Sequence, residues 1–171
     1  MEHGKKVKNN SSFKSFGIKN NCAIISTVAN FELYAKTSFL FPNNIPRYVV
    51  DGSNGMYSIN AIHYMFKILR KKNIEWLIMA DEDVIFKEPE KIFELINFMQ
   101  EHNYQVAGVR EGGVISHKKF NPFTINTFFS IIHFSEIEKI YNKKEINKNQ
   151  YVRPEEFNDD LSMLKKEYDV T

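Results

Sequence analysis

Compact apolar runs alternate along the chain with longer segments in which apolar residues recur at helical spacing. The apolar runs predict strands at residues 23–28, 47–50, 76–80 and 104–109. The helical spacing predicts helices at residues 31–41, at 59–69, and after Pro89, where Ile92, Ile96 and Met99 form one stripe. Strands and helices that alternate in this way form a parallel sheet flanked by helices. The predicted fold class is therefore α/β, with a mostly parallel sheet.

The alternation breaks down after residue 113. Residues 126–134 predict one more strand, and Ser135-Glu136-Ile137-Glu138 is a capping box that predicts the start of a short helix. The polar residues 141–154 predict a loop. A final helical stripe follows, formed by Phe157, Leu161, Leu164 and Tyr168.

The length of the chain predicts one domain, and its first twenty residues predict a tail. The 171 residues suffice for a single sizeable core. Residues 1–20 are polar and rich in Asn, Lys and Ser, which predicts a flexible tail. We therefore expect one domain over residues 21–171, with residues 22–113 and 114–171 as its two parts.

Composition narrows the class of partner. The net charge of +2 gives no reason to expect a nucleic acid or an anionic membrane as partner. No apolar run approaches the length of a membrane span, and no secretory signal precedes the first strand. The single cysteine, Cys22, excludes a disulfide within the chain and any multi-cysteine metal site. These features predict a cytoplasmic protein without a transmembrane segment.

Polar side chains follow each of the first three predicted strands. Thr27 ends the first strand, Asp51 follows the second, and Asp81 and Asp83 follow the third. Because ligands of open parallel sheets bind at the carboxyl ends of the strands, these side chains are candidates for one common site.

The acidic triplet Asp81-Glu82-Asp83 favours a metal site. In an extended segment alternate side chains point the same way, so Asp81 and Asp83 would share a face. Paired carboxylates suit Mg²⁺ or Mn²⁺, which often complete their coordination with phosphate oxygens. The alternative interpretation is an acidic turn that leads into the helix at Pro89.

The segment Asp51-Gly52-Ser53-Asn54-Gly55 has two interpretations. Its glycines fully account for a turn. In the functional interpretation, Asp51 accepts hydrogen bonds from a sugar or a base, while the glycines let a ligand approach the backbone.

Three segments together resemble a known family. AIISTV, VVDGSNG and WLIMADEDVIF are similar, in order and spacing, to the nucleotide-binding half of GT-A-type glycosyltransferases, especially the family-2 group. The resemblance implies a UDP- or GDP-sugar donor and a glycan or other hydroxyl acceptor. It implies a role in surface glycan synthesis as well. It also implies that residues 22–113 bind the nucleotide and that residues 114–171 form an incomplete acceptor side, as in a chain truncated at its C-terminus.

The resemblance assigns roles to individual residues. Thr27, Asp51, Ser53 and Asp81 would contact the nucleotide, and Asp81 and Asp83 would hold Mn²⁺ or Mg²⁺ on the diphosphate. The turn departs from the family pattern, with one Asp where the family often has two and Asn54 where it often has Asp.

A later acidic stretch, residues 155–161, resembles the family segment whose Asp is the general base of inverting enzymes. Asp160 would then deprotonate the acceptor hydroxyl. The alternative interpretation is a helix N-terminus, where acidic residues complement the helix dipole.

Two other functions stay open. One is a truncated or degenerate domain that binds nucleotide without activity. The other is a phosphohydrolase of the haloacid-dehalogenase type, in which the first Asp of the motif is the nucleophile, although that family places the motif after its first strand. A truncated sheet would also expose apolar surface, which favours a homodimer.

Overall fold

The fold is an α/β arrangement around one five-stranded sheet. The computed structural model describes residues 21–56, 58–110 and 125–148, together with four residues that form two short strands. The strands of the main sheet are β1 (Cys22–Val28), β2 (Arg47–Asp51), β3 (Trp76–Ala80), β4 (Val106–Arg110) and β5 (Ile125–His133). The helices are α1 (Phe31–Thr37), α2 (Ser58–Leu69), α3 (Lys91–Glu101), α4 (Phe134–Ile140) and α5 (Lys143–Lys148). A 3₁₀ turn, Ser38–Leu40, follows α1, and the small strands β6 (Tyr151–Val152) and β7 (Tyr168–Asp169) pair with each other.

The sheet is mixed, with the strand order β2-β1-β3-β5-β4. β1 pairs in parallel with both β2 and β3. β5 lies between β3 and β4 and is antiparallel to both. The prediction of a mostly parallel sheet is therefore wrong. The chain passes from β3 through α3 to β4, which lies two strand positions away in the sheet. β5 occupies the position between them and runs antiparallel to both, which is possible because antiparallel neighbours need no crossover helix.

Helices cover the sheet on both faces, which explains why its central strands are continuous apolar runs. On one face Cys22, Ile24 and Ile78 pack with the apolar stripe of α3. On the other face Ala23, Ile25 and Leu77 pack with Met65, Phe66 and Leu69 of α2. Successive residues of a strand point to opposite faces, so β1 and β3 contribute to both cores.

The structure confirms most of the elements predicted in the first part of the chain. The strands predicted at residues 23–28, 47–50 and 76–80 are present, as are the helix at 59–69 and the helix after Pro89. The helix predicted at residues 31–41 is shorter than expected, because α1 ends at Thr37 and continues only as a 3₁₀ turn.

In the second part the predicted short helix near residue 135 is present as α4, but its predicted cap was wrong, and so was the loop predicted over residues 141–154. The helix expected to begin with a Ser135 cap begins at Phe134, after an N-cap residue whose side chain makes no capping hydrogen bond. Phe134 is buried and stacks on Phe66 at 5.2 Å between ring centroids, so packing sets the start of this helix.

The loop predicted over residues 141–154 contains α5. Asn142 caps α5, because its side-chain oxygen accepts from the backbone N–H of Lys144 at 3.0 Å.

The last predicted helix falls mostly outside the described residues. Its final member, Tyr168, lies in the short strand β7 rather than in a helix. Within the part of the chain that the structure describes, no helix is long and apolar enough to cross a membrane.

Candidate functional site

A cavity of about 280 Å³ opens at the carboxyl ends of β1, β2 and β3, on the side of the sheet that α2 covers. Its apolar lining includes Ile25 of β1, Val50 of β2, Met65 of α2 and Met79 of β3. Its polar lining consists of Thr27, Asp81, Glu82 and Thr127. The cavity thus combines an apolar surface with hydroxyl and carboxylate groups, as small-molecule sites usually do.

Gly52 keeps the cavity wall close to the end of β1. Its backbone N–H donates to the carbonyl oxygen of Val28 at 2.8 Å, which joins the ends of the two strands. A Cβ atom at this position would meet Cγ2 of Thr27 at 3.1 Å. The absence of a side chain at Gly52 therefore lets the β2 turn approach the β1 end closely.

Asp51 and Ser53, which flank Gly52 in the chain, are joined by two hydrogen bonds. One carboxylate oxygen of Asp51 accepts from the backbone N–H of Ser53 at 2.9 Å and also from its hydroxyl. The hydroxyl bond, followed by the N–H bond, holds the pKa of Asp51 below its usual value. Both residues are exposed, and neither is among the cavity-lining residues. Because Val50 faces the cavity, the next side chain along the strand points away from it.

Asp81, Glu82 and Asp83 form a turn rather than an extended segment. The N–H of Val84 donates to the carbonyl oxygen of Asp81 at 3.2 Å, which closes the turn. The prediction that Asp81 and Asp83 share a face because the chain is extended is therefore wrong. Asp81 and Glu82 line the cavity, whereas Asp83 is exposed.

Asp81 carries the strongest electrostatic perturbation of the site. Burial, and then the negative charges of Glu82 and Asp83, raise the pKa of Asp81 from 3.8 to about 6. The backbone N–H of Asp81 donates to the carbonyl oxygen of Phe128 at 2.9 Å, which fixes the turn to β5. A bound cation would relieve the repulsion among these carboxylates.

The carboxylates fit a cation that takes most of its ligands from elsewhere. Within the described ranges, no three or more His, Cys, Asp or Glu side chains are grouped as a complete protein metal site. Mg²⁺ in particular is usually held by one or two carboxylates, with phosphate oxygens and waters completing the shell. Asp81, with Asp83 beside it in the turn, provides such a partial oxygen donor set, whereas the carboxylate of Glu82 already accepts from two backbone N–H groups.

The structure brings together only some of the residues singled out from the sequence. Thr27 and Asp81 both line the cavity, whereas Asp51, Ser53 and Asp83 do not. Asp160 lies outside the described residues. The sequence interpretation missed Glu82 and Thr127. The register of β5 carries the signal for Thr127, because Phe129 pairs with Ala80 and so brings the start of β5 beside the acidic turn.

Compared with known protein families, curated proteins and solved structures, the chain matches none of them.

Proposed function

We propose that the cavity binds a nucleoside diphosphate-sugar together with Mn²⁺ or Mg²⁺, and that the protein transfers the sugar to a hydroxyl acceptor such as a glycan. The observation that carries this proposal is the position of Asp81. It is a partly buried carboxylate with a raised pKa, in a cavity at the carboxyl ends of three mutually parallel strands. Strongly perturbed acids in a cleft are typical of functional sites. The resemblance of three sequence segments to GT-A-type glycosyltransferases supports the same function.

The charge of the cavity lining supports the requirement for a cation. None of the described residues that line the cavity is Lys or Arg, whereas two are carboxylates. A diphosphate group placed beside Asp81 and Glu82 would be repelled unless a cation lay between them. We therefore expect nucleotide binding to depend on the metal rather than merely to be strengthened by it.

The proposed reaction is a group transfer at the anomeric carbon of the donor sugar. The acceptor oxygen forms a bond to that carbon, its proton passes to a base, and the bond to the nucleoside diphosphate breaks. A divalent cation would stabilise the negative charge of the leaving group. In this proposal Asp81 and Asp83 would hold the cation, Thr27 would contact the nucleoside inside the cavity, and Asp160 would serve as the base. Asp51 and Ser53, which the family resemblance also assigns to the nucleoside, do not line the cavity and would contact only a part of the ligand that extends outside it.

Calorimetric titration tests the proposed binding directly. We expect UDP or GDP to bind the wild-type protein in the presence of Mn²⁺, and binding to be lost when the metal is removed with a chelator. Absence of binding for both nucleotides, with the protein folded and Mn²⁺ present, would contradict the proposal.

The size of the cavity favours a second candidate function, nucleotide binding without transfer. A volume of about 280 Å³ lies at the small end of ligand sites and suits part of a nucleotide-sugar rather than all of it. Release of nucleoside diphosphate from a nucleotide-sugar donor distinguishes the two functions. A transferase produces it in the presence of acceptor, whereas a binding domain does not.

A further inference from the structure

Glu82, the middle residue of the acidic turn, connects two segments that are distant in sequence. Its carboxylate oxygen accepts from the backbone N–H groups of Ala29, at 3.4 Å, and Asn30, at 3.3 Å. These two residues form the connection between β1 and α1. The backbone carbonyl of Glu82 accepts a second contact, from the hydroxyl of the buried Thr37 at 2.6 Å. The acidic turn is thus attached to both ends of α1.

These contacts join two walls of the cavity. Ala29 and Glu82 both line it, as do Thr27, two residues before Ala29, and Asp81, which directly precedes Glu82. The partners found for the Glu82 side chain are backbone N–H groups, and no Lys or Arg ion pair involves it among the described residues. The side chain therefore acts on the position of the backbone rather than on the charge of a neighbouring side chain.

We propose that Glu82 is a positioning residue of this site. By accepting from Ala29 and Asn30 it holds the β1–α1 connection against the acidic turn, and so sets the separation between Thr27 and Asp81 that a bound ligand must span. The inference rests on the proposed function, since the ligand is the metal-bound nucleoside diphosphate. It adds a residue whose role depends on hydrogen-bond acceptance and not on metal coordination.

Two substitutions separate positioning from metal coordination. Glu82→Gln keeps an oxygen that can accept from both N–H groups but removes the negative charge. Glu82→Ala removes both. A positioning role predicts that UDP affinity in the presence of Mn²⁺ falls about tenfold or more in Glu82→Ala, and stays within about threefold of wild type in Glu82→Gln. Equal losses in the two variants would overturn the proposal, because a metal ligand requires the charge.

The matched control is Glu88→Ala, which removes the same side chain from an exposed position. Among the residues that the structure describes, Glu88 forms an ion pair only with the exposed Lys91, at 2.8 Å, and such surface pairs contribute little to stability. We expect this variant to bind UDP like the wild type. A comparable loss of affinity in Glu88→Ala would show that the effect at Glu82 is not specific to its contacts, and would overturn the proposal.

A second measurement needs no ligand, so it distinguishes failure of this inference from failure of the proposed function. Exchange of the Ala29 and Asn30 amide protons with solvent is measured by NMR in the free protein. We expect faster exchange in Glu82→Ala, near-wild-type exchange in Glu82→Gln, and unchanged exchange at Gly52, whose N–H donates to Val28. Unchanged exchange in Glu82→Ala would overturn the positioning role. The expected exchange pattern without any nucleotide binding would support that role and contradict the proposed function.

Discussion

Asp81→Asn is expected to stabilise the ligand-free protein at pH 7 by about 1–2 kcal/mol. A pKa of about 6 in the folded state, against 3.8 for an ordinary Asp, means that folding opposes ionisation of this carboxyl. The stability that protonated Asp81 contributes is fully present below about pH 3.8 and is lost as the pH rises through about 6. The full difference in pKa would correspond to about 3 kcal/mol, and the partial exposure of Asp81 reduces it.

Urea unfolding of wild type and Asp81→Asn at several pH values measures this effect. The two proteins should differ at pH 7 and converge towards pH 4, where Asp81 is largely protonated. The matched control, Glu88→Gln, should leave the free energy of unfolding almost unchanged at both pH values, because Glu88 is exposed. A variant less stable than wild type at pH 7 would show that the Asp81 carboxylate stabilises the fold, and would remove the main argument for a functional site here.

The same substitution should weaken Mn²⁺-dependent UDP binding at least about tenfold. The amide of Asn keeps the shape of the side chain but lacks the negative charge that attracts a divalent cation. A residue that costs stability and supports binding is typical of a functional site, since function and stability often conflict. Undiminished UDP binding in Asp81→Asn would contradict the assignment of the metal to this carboxylate.

Ile131→Ala is expected to cost about 2–5 kcal/mol of stability, the largest effect among the substitutions considered. Ile131 is fully buried in β5, where it pairs with Ile78 of β3 on one side and Ala107 of β4 on the other. Removing its side chain would leave a cavity in the middle of the sheet. The prediction therefore tests whether β5 belongs to the core.

Ile125→Ala is the matched control, because it makes the same change at the other end of β5. Ile125 is 38% exposed, so its loss should cost about 1 kcal/mol or less. Urea unfolding of both variants provides the comparison. Equal, small effects would contradict the central position of β5.

Periodicity was sufficient to predict the elements of the sheet but not their order. The apolar runs that became β1 and β3 are unambiguous because both faces of each strand are buried. The position of β5 between β3 and β4 depends on contacts between distant segments, which leave no periodic signal in the strand itself. The sequence signal that was present but unused is the Asn142 cap, followed by Glu145 in the first turn of α5.

The candidate site was predictable to the extent that strand ends determine it. Thr27 and Asp81 were found because parallel strands bring their carboxyl ends to one edge. Glu82 was missed because alternation along an extended chain was applied to three residues that form a turn. Thr127 was missed because its place at the cavity depends on the antiparallel register of β5 with β3.

The most direct test of the central claim is to locate the cation within the protein. In an NMR titration with UDP and Mn²⁺, the paramagnetic ion should broaden the amide signals of Thr27, Asp81 and Glu82 most strongly. Glu75, at the opposite end of β3 and about 20 Å along the chain from Asp81, should be affected much less. This result would place a metal-bound nucleotide in the cavity, whereas broadening centred elsewhere, or none at all, would contradict the account.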